Sequence, residues 1–93
     1  MRPVNLADLE AGVRVLLAAP QRSRRQLALS LCNAAAAADA HRKRTGAPHP
    51  VFGTGTIMSA SRCYAMVSSQ GADEGDYLTA LRDLITALIH QRA

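Results

Sequence analysis

Apolar residues recur every three or four positions through most of the chain, a spacing that predicts helices. The first runs from about Leu6 to Ala18, with Leu6, Leu9, Val13, Leu16 and Leu17 on one face. Asn5 is a good N-cap, Asp8 sits in the first turn near the positive end of the helix dipole, and Val4 with Leu9 has the spacing of a hydrophobic staple. Pro20 stops this helix or starts the next.

The second helix is expected from about Gln21 to Arg44. Leu27, Leu31, Ala34, Ala35 and Ala38 line one stripe, widened by Ala28 and Cys32. The alanine run Ala34 to Ala38 favours helix without adding bulk, so another helix can approach closely. Leu29 points away from the main stripe, and a second copy of the chain is the expected contact there. Arg42, Lys43 and Arg44 fall in the last turn, where cations complement the dipole, and Gly46 supplies a left-handed cap.

A third helix is expected after Gly55, with Thr54 or Thr56 as N-cap, extending to about Ser68. Ile57, Ala60, Cys63, Tyr64 and Val67 share a face, while Met58, Ala65 and Met66 cover much of the rest, which predicts a central position. The fourth runs from about Tyr77 to Gln91, capped by Asp76 or Asp73. Its Leu78, Leu81, Leu84, Ile85, Leu88 and Ile89 lie within an arc of about 140°. No alternating strand pattern and no internal repeat interrupts these segments. The expected fold is all-α: a single domain over residues 1–93, a small bundle of about four helices.

Between the second and third helices, the segment from Thr45 to Thr56 carries two X-Pro steps, three glycines and Phe52, the single phenylalanine of the chain. A stretch of this length without periodicity in a compact domain is functional or disordered, and proline stiffening argues for order. The Phe52 ring is expected to tuck into the core, leaving Arg42, Lys43 and Arg44 at the surface beside it.

Ninety-three residues are near the lower limit for folding on a hydrophobic core alone, so a partner, most simply a second copy, is expected to complete it. Apolar residues make up 48% but aromatics only 3%, which gives thin helix-to-helix packing rather than a substrate cavity. No apolar run reaches the length of a membrane span. The N-terminal MRPVNLADLE carries acids where a signal peptide would be apolar, so a cytoplasmic protein is expected. In that reducing setting Cys32 and Cys63 read as small buried hydrophobes within helices.

Charge divides the chain. Arg14, Arg22, Arg24, Arg25, Arg42, Lys43, Arg44 and Arg62 stand against one acid, Asp39, whereas Asp73, Glu74, Asp76 and Asp83 stand against Arg82 alone. Ten of the eleven cations are arginine, which suits bidentate contact with phosphate, although a biased codon composition produces the same usage. The candidate nucleic-acid or partner surface is Arg22, Arg24, Arg25, Arg42, Lys43 and Arg44.

No catalytic, cofactor or metal site is expected. Ser59, Ser61, Cys32 and Cys63 lack an adjacent base, and two cysteines far apart do not form a metal pattern. Asp73, Glu74 and Asp76 read as a cap-and-turn cluster. His41 belongs to a helix end and His90 to a polar helix face, whereas His49 is held extended between Pro48 and Pro50. Gly53, Thr54, Gly55 and Thr56 precede a helix and can either cap it or, with His49 and Arg62, expose amides to an anion. The P-loop ending is missing.

The order RPVNLADL, an Ala-rich helix ending in HRKRTG, APHPVFGTGT followed by IMSA, and GDYLTAL resembles a family of short alphaproteobacterial helical proteins over almost the whole chain. Members of that kind accompany gene transfer particles in the position of a small terminase subunit. The resemblance implies a helical, oligomeric DNA-packaging adaptor, although a helix-turn-helix is not recognisable. Two readings stand: a self-associating adaptor contacting nucleic acid or an acidic protein through the six cations, and a regulatory module whose loop from Thr45 to Thr56 binds a peptide or anionic ligand.

Overall fold

The computed structural model describes residues 1–92, and all of its regular elements are helical. They are α1 (Leu6–Leu17), a 3-10 turn (Gln21–Ser23), α2 (Arg24–Thr45), α3 (Ile57–Ser61) and α4 (Glu74–Arg92). Local chemistry sets most ends. Asn5 accepts from the Asp8 amide and Asp8 returns the bond to the Asn5 amide, a full capping box. Gly46 closes α2 at φ 75°, its amide donating to the Arg42 carbonyl. Asp73 rather than Asp76 caps α4, accepting from the Asp76 amide at 3.0 Å, and the helix therefore starts earlier than Tyr77.

The third helix departs from expectation. It stops at Ser61 instead of Ser68, because Ser61 Oγ turns back onto the Ile57 carbonyl and the Cys63 and Tyr64 amides close tight i→i+3 bonds. The chain then straightens and is pinned to α1: the Val67 amide donates to the Arg14 carbonyl at 3.3 Å, and Arg14 Nε donates to the Val67 carbonyl at 2.9 Å. Cys63 accordingly lies exposed outside a helix, while Cys32 is buried as expected.

Leu16, Leu31, Ile57, Leu84, Val13 and Val15 form the fully buried centre, with Ala28, Ala35, Ala60 and Ala80 between them. Helices α2 and α4 run the same way, since Arg24 meets Asp76 at one end and Leu29 shares a groove with Ala87 further along. α1 runs against both. The helices close up tightly at Gly12, where a Cβ would lie 2.6 Å from a Leu84 methyl. Leu29 is half-buried and borders α4, so the second apolar direction on α2 is largely used within the chain.

Helix α4 uses its apolar arc differently from the pattern. Ala80, Asp83, Leu84, Ala87 and Leu88 face inward, whereas Leu78, Ile85 and Ile89 are exposed, as is Leu6 at the start of α1. An arc of about 140° is wider than the seam the neighbours cover, and the small residues Ala80 and Ala87 give the closer approach.

The Pro/Gly loop folds on itself. His49 and Gly53 exchange backbone bonds of 2.8 and 3.1 Å, and His49 Nδ1 accepts from the amides of Val51 and Phe52. The Phe52 ring is half-buried against the core and stacks on the His49 imidazole, with centroids 5.1 Å apart, rather than being swallowed by the helices.

Candidate cationic surface

The six cations of the expected binding surface do not converge. Arg24 and Arg25 open α2 and Arg42 to Arg44 close it, so Arg25 and Lys43 are about 27 Å apart at 1.5 Å per residue. Eighteen residues make five full turns at 100° each, which returns Lys43 to the side of α2 that carries Arg25. What results is two basic ends on one side of a rod.

Arg24 leaves this surface altogether. Its side chain is buried, donating from Nε to the Leu16 and Ala19 carbonyls at 2.7 and 3.2 Å and from the fork to Asp76 at 2.6 and 3.4 Å. It satisfies the orphan carbonyls at the end of α1 and ties them to the start of α4. The sequence places it in a basic run; the 3-10 turn before it rotates it inward while Arg22 and Arg25 stay out. Arg25 is 81% exposed and comes only to 4.0 Å from Asp83.

At the other end the cations are partly engaged by an acid. Asp39 is buried and takes Arg42 at 2.8 Å, Lys43 at 3.2 Å and the Met1 ammonium at 3.3 Å. Arg42 above all, then Lys43 and the ammonium, hold its carboxyl well below the ordinary carboxylate range, against burial pushing the other way. Gly55, at φ 101°, lies so close that a Cβ would stand 2.7 Å from the Asp39 Cβ, so the loop seals this acid from one side. Arg42 is half-buried and its Nε has no partner. Lys43 remains 69% exposed, and Arg44 is exposed beside His41, 3.5 Å from its Nδ1. Of the six, the cations presented to solvent are therefore Arg22, Arg25, Lys43 and Arg44.

The glycine and threonine loop is already filled by the chain's own groups. Thr56 caps α3 by accepting from the Ser59 amide, Ser59 Oγ accepts from the Thr54 amide, and the Met58 amide donates to Asp8 Oδ1 at 2.9 Å. An anion at the start of α3 would meet the Asp8 carboxylate, which caps α1 and α3 at once. His49 turns its Nδ1 to its own backbone. Arg62 lies elsewhere, on a groove of about 380 Å³ shared with Glu10, Arg14, Met58 and Met66. The residues His49, Gly53, Thr54, Gly55, Thr56 and Arg62 thus do not assemble into an anion cradle.

Two further polar groups escape sequence reading. Glu10 accepts from Ser69 Oγ at 2.6 Å and Tyr77 OH at 2.9 Å, bonds that lower its carboxyl and raise the Tyr77 phenol. They staple the connection after α3, through Ser69, and the start of α4, through Tyr77, to α1. Among the described residues, no group of three or more His, Cys, Asp or Glu side chains is placed to hold a metal ion. No helix of the described residues is long and apolar enough to cross a membrane.

The chain belongs to a family described as a domain of unknown function (DUF7742), which matches residues 2–88. No curated protein and no solved structure matches it.

Proposed function

We propose that the protein is a non-enzymatic helical adaptor that self-associates and contacts nucleic acid, or an acidic protein, through its arginine-rich side. The observation that carries this reading is the display of Arg22 and Arg25 at one end of α2 and Lys43 and Arg44 at the other, all exposed and on one rod. Duplex DNA carries one charge per about 1.7 Å, so a separation of about 27 Å spans roughly sixteen phosphate charges. The two ends would engage separate stretches of backbone. Phosphate contacts of this kind position a protein without reading sequence, which suits an adaptor. The resemblance to proteins in the small-terminase position supplies a setting, DNA packaging.

Four phosphate contacts set the expected salt dependence. The slope of log affinity against log salt should be about −3.6, from −0.9 per contact. Fluorescence anisotropy with a 30-base-pair duplex across a salt series measures it. The double variant Arg25→Glu and Arg44→Glu should keep its fold and lose at least tenfold in affinity. Unchanged affinity and slope in that variant would end the reading.

A further inference from the structure

The outer face of α4 carries a line of apolar residues that nothing in the described chain covers. Leu78, Ile85 and Ile89 are 54%, 40% and 66% exposed. At 100° per residue they fall within an arc of about 40°, nearly opposite the inward residues Ala80 and Ala87, with Leu84 about 120° round the helix. Single exposed leucines are ordinary on a protein surface. Three in register over three turns are a stripe. Beside its C-terminal end Pro3 and Val4 add to it, forming with Ile85, Leu88, Ile89 and Arg92 a groove of about 380 Å³.

The ends of the stripe carry opposite charges. Glu74 opens α4 and Arg92 closes it; both are exposed, and neither has an ion-pair partner among the described residues. Eighteen residues separate them, so they share one angular position about 27 Å apart. The spacing of the two ends is close to palindromic. Laying one α4 antiparallel on another, centred near Asp83, sets Glu74 against the partner's Arg92 and brings Leu78 within one residue of register with the partner's Ile89. A parallel pair would instead oppose Glu74 to the partner's Glu74 and Arg92 to the partner's Arg92.

The geometry points to a second copy of this chain as the occupant of the α4 stripe, in an antiparallel, two-fold symmetric pair. This deepens the self-association within the adaptor reading and moves it from α2, where Leu29 is largely covered, to α4. A two-fold interface is self-complementary, with residue i meeting j and j meeting i. The α4 stripe meets that condition at its two ends, Glu74 with Arg92 and Leu78 with Ile89, while Ile85 near the axis comes opposite the partner's Leu81 and the partner's Arg82. Antiparallel helices also bring opposite dipole ends together. Arg82, on the opposite flank from Leu81, approaches the partner's Arg82 near the axis, so this one contact opposes the pair, and Arg82→Gln should tighten it.

Sedimentation velocity on the full chain over a concentration series tests the arrangement, with circular dichroism confirming that each variant is folded. Wild type should move to a species of about 20 kDa, twice the 9.9 kDa chain. Ile89→Glu should remain monomeric. Glu74→Arg and Arg92→Glu should each weaken dimerisation at least tenfold at low salt, and the two together should restore it. Recovery in the double swap is specific to antiparallel pairing. A wild type that stays monomeric at millimolar concentration, or a double swap no tighter than the single changes, overturns the inference. Duplex binding is read separately: a monomer that binds DNA with a steep salt slope sinks the α4 pair and leaves the nucleic-acid contact standing. A dimer that ignores DNA does the reverse.

Discussion

Removing Leu84 while filling its place from the opposite helix tests the packing of α1 on α4. Leu84 is fully buried and its methyls reach within 2.6 and 3.2 Å of where a Gly12 Cβ would stand, with an Ile57 methyl at 3.3 Å. Leu84→Ala should cost about 2 to 5 kcal/mol through lost burial and the cavity left behind. For a chain of this length the whole stability is about 5 to 14 kcal/mol at 0.05 to 0.15 per residue, so the loss is large. Gly12→Ala alone gains about 0.5 to 1 kcal/mol of helix propensity and loses about 1 to 3 to overpacking, a net cost of roughly 0 to 2.5. Combined, the methyl introduced by Gly12→Ala enters the space Leu84 vacated, and the overpacking loss disappears. The double variant should therefore be more stable than the sum of the singles predicts by about 1 to 3 kcal/mol. Urea unfolding followed by far-ultraviolet circular dichroism, with the midpoint and slope compared across the four proteins, gives this coupling directly. Additivity within about 0.5 kcal/mol would show that the two helices do not meet at this point.

Arg24→Ala should cost about 1.5 to 3 kcal/mol by exposing the last α1 carbonyls, with Arg24→Lys recovering only part, since one ammonium cannot reach both those carbonyls and Asp76; thermal melts decide it. Acid stability should depend on Asp39: its folded carboxyl lies below the unfolded value of 3.8, so its contribution is present above that value and lost as pH falls below it through the folded value. Asp39→Asn should lower stability at pH 6 and flatten the acid limb of the stability curve, and an unchanged limb would remove Asp39 from that role. Cys63 should react with a thiol reagent in the native state and Cys32 only on unfolding, because burial pushes the Cys32 thiol up to about 11; two fast-reacting thiols in the folded chain would contradict its place in the core.

Much of the fold was legible because its signals are local. Asn5 with Asp8, and Gly46 after a cationic turn, act through neighbours within a few residues, and those helix ends fall where the chain predicts them. The departures arise where distant groups choose between local alternatives. Helix three carries apolar residues to Val67, yet Arg14 holds Val67 in an extended segment against α1, and nothing within residues 57–68 announces that bond. In α4, Leu84 and Ile85 are equally apolar neighbours; only the position of Gly12 and the alanines decides that Leu84 goes in. Arg24, Arg25 and Arg42 share a residue type, but buried carbonyls claim the first and Asp39 the third. Charge counting recovers the sum, and not which cations face water.

The carboxylate of Asp8 that ends two helices at once also sets how the molecule opens. At five residues α3 is far too short to persist unaided, and its Met58 amide depends on an acid fifty positions upstream. The following segment hangs from Arg14 and Glu10 of the same helix. Residues 57–73 thus have little private stability to draw on. Their slow-exchanging amides should lose protection together with those of α1 as one cooperative unit, while the far side of α2, resting on none of these bonds, opens independently. Unfolding in this chain follows a shared acid more closely than the order of its helices.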